Sequence, residues 1–411
     1  MVLENSFTPI GGGGAESQVR TLALHLRRLG HHVTVLTPRL SYGPRPTAER
    51  CWGLPVGRIP YPYRRIVGAM VLFARLGAFL WQRRNRYDVW HVHIAHNMGA
   101  LTCLVGSLLG KTVVVKVSGW FELERGVFAS TRNPASLTAQ HLFKRASAVQ
   151  AISTRIARTL VDKRFPPERI VTLPNAVDTS RFQPRRALRT SGRALNAVFV
   201  GRLVPEKGLE GLFDAWRDAF GGRDDIRLQL VGGGPLEKDL RERARRLGIA
   251  GQIDFLGHRD RVEEVLAGAD LGVLPSLIEG LSNTLLEFMA TGVPVVASRV
   301  SGSEDLIVPG RNGWLFPPQD VPALAACLRE AEAMTPEQLS AMGRRARADV
   351  EATAGLDVVV GRLLELYRGV PPADVGARVT AASAAGGVSE AVPPAVVSLV
   401  AGVPGARDGS G

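Results

Sequence analysis

The sequence predicts an α/β protein of two doubly wound, Rossmann-like domains facing a central cleft. Three observations carry that expectation. Short β-branched runs alternate with helix-period stretches along the first 180 residues. The same alternation restarts after a polar, Arg- and Pro-containing segment at 181–193. Glycine-containing loops follow several of the strand-like runs. Such alternation implies a parallel sheet covered by helices on both faces. In paired domains of this kind a ligand sits between them, at the carboxyl ends of the strands.

The first domain, 1–180, reads as buried strands at Val33–Thr37, Val89–Val92, Val113–Val117, Val149–Ile152 and Ile170–Leu173. Val19, Leu22, Ala23, Leu26 and Leu29 line one face of a helix before the first of them. A doubly wound domain should open with a strand, yet only Val2 and Leu3 precede polar residues. The first strand is therefore expected to be truncated, or the true start to lie upstream. After the linker at 181–193, the second domain spans 194–351. Its strands are Ala197–Val200, Arg227–Val231, Ile253–Phe255, Leu271–Leu274 and Val295–Ala297, with helices at Leu236–Leu247 and Asn283–Thr291. A last helix occupies 352–368. Residues 369–411 are rich in Ala, Val, Gly, Pro and Ser, with no aromatic residue and five charges, and are expected to be disordered.

At 411 residues, 45% hydrophobic and 22% charged, the chain has room for two soluble domains, each with its own core. Cys51, Cys103 and Cys327 are far apart and form no CxxC pair. That argues against a zinc site or a disulfide framework and fits a reducing cytoplasm, as does the lack of a signal-peptide pattern after Met1. The net charge of +13 is uneven: residues 1–180 carry 24 Lys+Arg against 9 Asp+Glu, whereas the remainder is nearly balanced. Such asymmetry suggests an anionic partner for the first half, be it a membrane surface, a nucleic acid or a phosphorylated substrate. An Arg-rich composition on solvated faces would look the same. The best apolar run, Ile66 to Trp81, contains Arg75 and is short for a membrane span. Arg64, Arg65, Arg83, Arg84 and Arg86 flank it, as in a helix lying on an anionic bilayer. A helix packed on a sheet would also fit.

The loop Ser276–Glu287 carries the most chemical information. Its carboxylates Glu279 and Glu287 enclose seven residues, among them Gly280, Leu281, Ser282, Asn283 and Thr284. A turn at Gly280 leading into a helix near Asn283 aims free backbone N–H groups at one point, which attracts a phosphate or diphosphate. A carboxylate on either side then holds hydroxyl groups, so the loop suggests a sugar-nucleotide pocket. Gly201–Gly208 follows a strand and therefore faces the cleft. Arg202 offers a planar fork to phosphate oxygens and Lys207 a compact charge, although a surface loop with an ion pair to Glu206 is the plain alternative. Gly233 and His258 also follow strands, where backbone approaches a base or ribose; glycine at a strand end is also ordinary turn chemistry. Gly13 and Gly14, in the run Gly11–Gly14, open the first helix and suit a phosphate, but no Walker lysine follows. His91 and His93 share one strand face, but only Asp88 lies near, which is thin support for a metal. His93 or His96, at the strand end, suits substrate contact better.

Together these residues resemble glycosyltransferase family 4, retaining enzymes with the GT-B fold. The resemblance covers roughly 7–368. Its most specific element is Glu-x7-Glu, Glu279 to Glu287, followed by Ala290–Ala297. Pro9 to Glu16, Gly30–Val33, Pro174–Asp178 with Phe182, Gly201–Gly208 and Gly310–Gly313 match in the same order. The resemblance implies that Glu287 holds ribose hydroxyls and Glu279 the transferred sugar. Gly280, Leu281 and Ser282 would cradle the diphosphate, Arg202 and Lys207 would neutralise it without a metal, and Gly13 and Gly14 would close over it. The closing helix, Leu356–Tyr367, would cross back to the first domain. The leaving phosphate itself would take the acceptor proton, since no catalytic base stands out. One departure is Ser118, which stands where many members carry a histidine; it is kept as an acceptor-side residue with His93 and His96. The implied partners are a nucleotide sugar and a glycan or lipid-linked acceptor, with an anionic membrane surface for the basic half and no nucleic acid. The expected function is hexose transfer in cell-envelope polysaccharide or glycolipid synthesis, in the cytoplasm or on the inner face of the membrane. Ser118 and the short start motivate a second reading, an inactive shell that only binds a nucleotide sugar.

Overall fold

A computed structural model describes residues 1–5, 7, 13–41, 44, 46–119, 122–123, 126–129, 133–184 and 195–369. Gly11, Gly12, most of the 181–193 linker and the tail from 370 lie outside the described residues.

The first domain contains β1 (Val35–Pro38), β2 (Ala48–Cys51), β3 (Leu54–Ile59), β4 (Val89–Val92), β5 (Thr112–Val117), β6 (Ala148–Ala151) and β7 (Ile170–Thr172). They form two sheets, ordered β1-β3-β2 and β4-β5-β6-β7. All pairs are parallel except β2 with β3. Val2 joins the two sheets, bridging Leu36 on one side and Val92 on the other. The opening strand is thus a single paired residue with fully buried Leu3 beside it. β2 and β3 form a hairpin turning at Trp52 and Gly53, both at positive φ.

The second domain is one six-stranded parallel sheet. Its strands are β8 (Leu195–Val200), β9 (Ile226–Val231), β10 (Ile253–Gly257), β11 (Leu271–Leu274), β12 (Val295–Ser298) and β13 (Gly313–Phe316), ordered β10-β9-β8-β11-β12-β13. Chain order reverses between β8 and β11, which makes their carboxyl ends the topological switch point where α/β ligands bind. One face packs Phe199, Phe213, Trp216 and Phe220 into a core. Trp216 Nε1 donates to Gln252 Oε1 at 2.9 Å, so the indole polar group is satisfied inside it.

The helix Pro336–Ala354 packs on the second domain, against the helix Asn283–Ala290. The next helix, Leu356–Tyr367, returns to the first domain. There Leu356, Val359, Val360, Leu363 and Leu366 pack on Leu22, Leu26, Val114 and Val171. The crossing point is pinned by Val177, which bridges Gly355.

Candidate functional site

The loops after β8 and β11 meet at the switch point. Pro205–Lys207 forms a 3-10 turn that ends at Gly208, whose φ of +66° lies in the left-handed region. A Cβ on Gly208 would stand 2.1 Å from the Pro275 carbonyl oxygen, so only glycine lets these loops touch. Leu277 N donates to Glu206 O at 2.8 Å and completes the join. This contact delivers Lys207 to Glu279: Lys207 Nζ pairs with Glu279 Oε1, and Ser276 Oγ donates to that oxygen at 2.9 Å. Lys207 thus pairs across the sheet with Glu279 rather than with its neighbour Glu206. Arg202, on the same loop, is exposed and has no side-chain partner among the described residues.

Beyond Glu279 the chain turns and enters the helix Asn283–Ala290, with Ser282 as N-cap. Ser282 Oγ accepts from Leu285 N at 3.4 Å. The N–H groups of Gly280, Leu281, Ser282, Asn283 and Thr284 donate to no backbone carbonyl among the described residues. Opposite stands the opening helix of the first domain, Gly14–Arg28, with Gly13 as an N-cap lacking any side-chain bond. Asn283 joins the two starts. Its Nδ2 donates to Gly14 O at 3.0 Å, and its Oδ1 accepts from Gln18 at 3.2 Å and Asn175 at 2.8 Å. Two helix N-termini, one from each domain, therefore converge, each with a partial positive charge. Asn283, expected at the donor, spends its side chain on the contact between domains.

Closure is reinforced on the far side of the loop. Gly280 lies against the end of β5: a Cβ there would stand 2.8 Å from Ser118 O and 2.9 Å from Gly119 Cα. Ser153 and Ser301 share a 2.7 Å hydroxyl contact, and Arg155 grips Glu304 through two bonds of 2.9 and 2.7 Å.

Glu287 is partly buried beside a cavity of about 230 Å³ lined by Ser17, Arg20, Asp178, Arg181 and Asn283. Burial pushes its carboxyl up to about 7, with Glu263 adding to the rise and Arg181 and Arg20 opposing it. Arg181 bonds Glu263 at 2.8 Å. Gly233 O accepts from Leu203 N at 3.0 Å, so its loop is zipped to the Arg202 loop. His258 is 78% exposed, beside Asp260 at 3.4 Å.

The acceptor-side expectations divide. His93 requires correction: it is 1% exposed, stacked 4.1 Å from His91, with neither ring nitrogen bonded. Strand alternation puts both rings on the face that the closing helix covers, where Tyr367 OH reaches His91 Nδ1 at 2.7 Å. Burial holds both imidazoles well below their ordinary value, so they are neutral. His96, three residues onward, is 43% exposed and bonded through Nδ1 to Glu4 Oε1 at 2.7 Å. Ser118 lies at the end of β5, where buried Glu122 accepts from the backbone N–H groups of Ser118, Gly119 and Ala95 at 2.6, 2.9 and 2.8 Å. Sequence reasoning missed Glu4, Glu122, Arg20 and Arg181. Only Glu122, four residues after Ser118, left a local signal.

Residues 12–181 match the family described as Glycosyltransferase Family 4, and residues 194–332 match Glycosyl transferases group 1. A GDP-mannose-dependent alpha-mannosyltransferase of Mycolicibacterium smegmatis is 30% identical over 77% of this chain and 83% of its own length. The putative colanic acid biosynthesis glycosyltransferase WcaL of Salmonella typhimurium is 33% identical over 51% of this chain. The chain spans about half of that relative's length, 54%. Anabaena Alr3699/HepE, solved in complex with UDP, superposes with a TM-score of 0.71 at 20% identity, over 89% of this chain and 98% of that one. That likeness is one of fold.

Proposed function

The chain belongs to glycosyltransferase family 4 and has its GT-B fold, and from that premise we propose a retaining glycosyltransferase. It moves a hexose from a nucleotide-diphosphate sugar to a glycan or lipid-linked acceptor, in cell-envelope polysaccharide or glycolipid synthesis. The observation that carries this reading is the Lys207–Glu279 pair at the switch point, beside two converging helix N-termini. Free N–H groups from Gly280 to Thr284 receive the diphosphate, with Gly13 and Gly14 opposite. Lys207 and Arg202 neutralise it as it leaves, in place of a metal. Glu279 holds hydroxyls of the sugar and Glu287 those of the ribose. His258 and Gly233 border the nucleoside. The acceptor sits over Ser118 and His96 and attacks from the face that the diphosphate leaves, through an oxocarbenium-like state. The name of the WcaL relative, a putative colanic acid biosynthesis glycosyltransferase, supports a role in polysaccharide synthesis, and that of the mannosyltransferase relative supports a nucleotide-sugar donor.

A panel of nucleoside diphosphates tests the donor site. At about 100 times its dissociation constant, the right nucleotide should stabilise the protein by about 2–3 kcal/mol in thermal unfolding. No response to any nucleotide would sink the reading. Labelled donor sugars with a membrane extract then identify the product.

The reading extends to an anionic membrane surface. Among the described residues no helix is long and apolar enough to cross a membrane. The helix Arg65–Gln82 instead buries Leu76 and Leu80 and exposes Ile66 (74%), Val67, Met70 and Trp81. Arg84 lies over the Trp81 ring at 5.0 Å, and Arg64 and Arg83 are exposed beside it. Apolar side chains within a basic rim suit the headgroup boundary of an anionic bilayer. Sedimentation with anionic vesicles should capture the protein at low salt, release it at high salt, and weaken several-fold in Ile66→Asp/Met70→Asp. Equal binding to neutral vesicles would refute the surface.

A further inference from the structure

We propose that Glu122 is a positioning residue for the transfer step: it fixes the end of β5 as a seat on which Gly280 closes, so that the first domain places the sugar end of the donor loop. The inference rests on the transferase reading above and adds the element that joins the acceptor side to the donor side. Glu122 acts through backbone, not on the reacting atoms.

The carboxylate is 6% exposed, and both of its oxygens are committed. Oε2 accepts from the N–H groups of Ser118 and Gly119 at 2.6 and 2.9 Å, and Oε1 accepts from Ala95 N at 2.8 Å. Glu122 N donates to Gly119 O at 3.2 Å, which turns the chain after β5 back on itself and brings the side chain to those donors. Bonds to an ionised acceptor are stronger than neutral ones, so one side chain ties the segments after β4 and β5 together. Lys116, 2% exposed on β5, supplies the opposite charge that a buried carboxylate needs.

The fixed segment meets the donor loop directly. A Cβ on Gly280 would stand 2.8 Å from Ser118 O and 2.9 Å from Gly119 Cα, both of them backbone atoms that Glu122 holds in place. The other side of Gly280 is closed by its own domain. Its carbonyl oxygen accepts from Ser301 Oγ at 2.9 Å, and a Cβ on Gly302 would stand 2.8 Å from Leu281 Cα. Ser301 Oγ in turn meets Ser153 Oγ of the first domain at 2.7 Å. Gly280 is thus boxed between Ser301 and Gly302 of one domain and Ser118 and Gly119 of the other.

The consequence falls on one end of the loop. Glu279, the residue before Gly280, holds the sugar in the proposed reading, and the N–H groups after it receive the diphosphate. A seat that slackens lets the Glu279 end drift while the helix start Asn283–Ala290 stays with its own domain. A displacement of about 1 Å at a reacting centre costs about 100-fold in rate.

Steady-state transfer, with the donor and membrane-extract acceptor that wild type uses, tests the seat. Glu122→Gln puts an amide N–H against backbone donors and should lower kcat by about 10- to 100-fold. Binding of the nucleoside diphosphate that stabilises wild type should change by less than about threefold, because the N–H groups that receive it belong to the second domain. Gly280→Ala pushes against the seat from the other side and should also lower kcat. Because both variants act through one contact, the double variant should lose much less than the product of the two, a coupling that a merely structural role would not produce. Thermal unfolding confirms that each protein is folded. If Glu122→Gln does not fold, Glu122→Asp takes its place in the cycle, since the shorter acid keeps the charge beside Lys116 but lacks the reach to both segments. A kcat within about twofold of wild type, or losses that simply multiply, overturns the proposal and leaves the transferase reading intact. A wild type that transfers no sugar removes the reading and the seat together.

Discussion

Replacing Lys207 with alanine is expected to slow sugar transfer by about 100- to 1000-fold, the usual effect of removing one preorganised group from a developing oxyanion. The effect should fall on kcat more than on donor KM, because the diphosphate gains charge as the bond to the sugar breaks. Three features make the position unforgiving. Lys207 is held on a one-turn 3-10 segment, the next residue is locked by its contact with Pro275, and the amine is already aimed at Glu279. Arginine should therefore rescue poorly, since its planar fork cannot occupy the place of a compact ammonium beside that carboxylate. Lys207→Ala also leaves Glu279 with only the Ser276 hydroxyl for that oxygen. Glu279→Ala should lose activity on a similar scale, and the double variant should lose much less than the product of the two, as partners in one unit do. Steady-state kinetics on the four proteins, with thermal unfolding to confirm folding, makes the measurement. A loss below tenfold in Lys207→Ala would remove the lysine from the transfer step.

Much of the fold was legible in the sequence. Periodicity placed ten strands within a residue or two, because buried parallel strands are continuous apolar runs. The helix Leu356–Tyr367 was expected over the same residues it occupies, and its face packs on the first domain as a crossing helix must. Three strands escaped. β2 reads Ala-Glu-Arg-Cys, β3 contains Pro55 in a paired position, and β13 is four residues opening with Gly313. Charge, proline and glycine each argue against a strand, and tertiary pairing outweighs them here. The composition of the loop Glu279–Glu287 singled it out as a candidate, and the fold sets it at the switch point beside Lys207. What stayed hidden were pairings across long stretches of chain: Glu4 with His96, Asn283 with Gly14, Arg181 with Glu263. No local pattern marks such pairs, because each residue alone is an ordinary solvated side chain. His93 was misplaced for a related reason. Alternation fixes which rings share a face, but only the docking of the last helix decides that the face is buried.

Glu287 should make both stability and nucleotide affinity depend on pH, in opposite senses. Its carboxyl ordinarily titrates near 4.5 and is pushed up to about 7 by burial. Between those values the unfolded chain releases this proton and the folded protein keeps it. Stability then falls as pH rises from about 4.5 to 7 and is flat above, since both states are ionised there. After allowance for solvent reaching a partly exposed group, the loss is about 1–2 kcal/mol. Glu287→Gln should flatten this slope and be the more stable protein at pH 7.5. Donor binding runs the other way. Ribose hydroxyls donate to an ionised carboxylate, so the bound state favours the charged form and its pKa falls. Nucleotide binding below pH 7 should therefore release a proton and tighten by about tenfold between pH 5.5 and 7.5. Calorimetry in buffers of different ionisation enthalpy reads the proton directly. Glu287→Gln should show neither the proton release nor the pH dependence, and should bind more weakly than wild type at pH 8. Wild-type affinity that is level across this range would place the ribose elsewhere. On the proposed reading, the same conflict would account for an awkward carboxyl at this point. The burial that raises its energy when empty is what makes it bind hydroxyls tightly once the donor shields it from water.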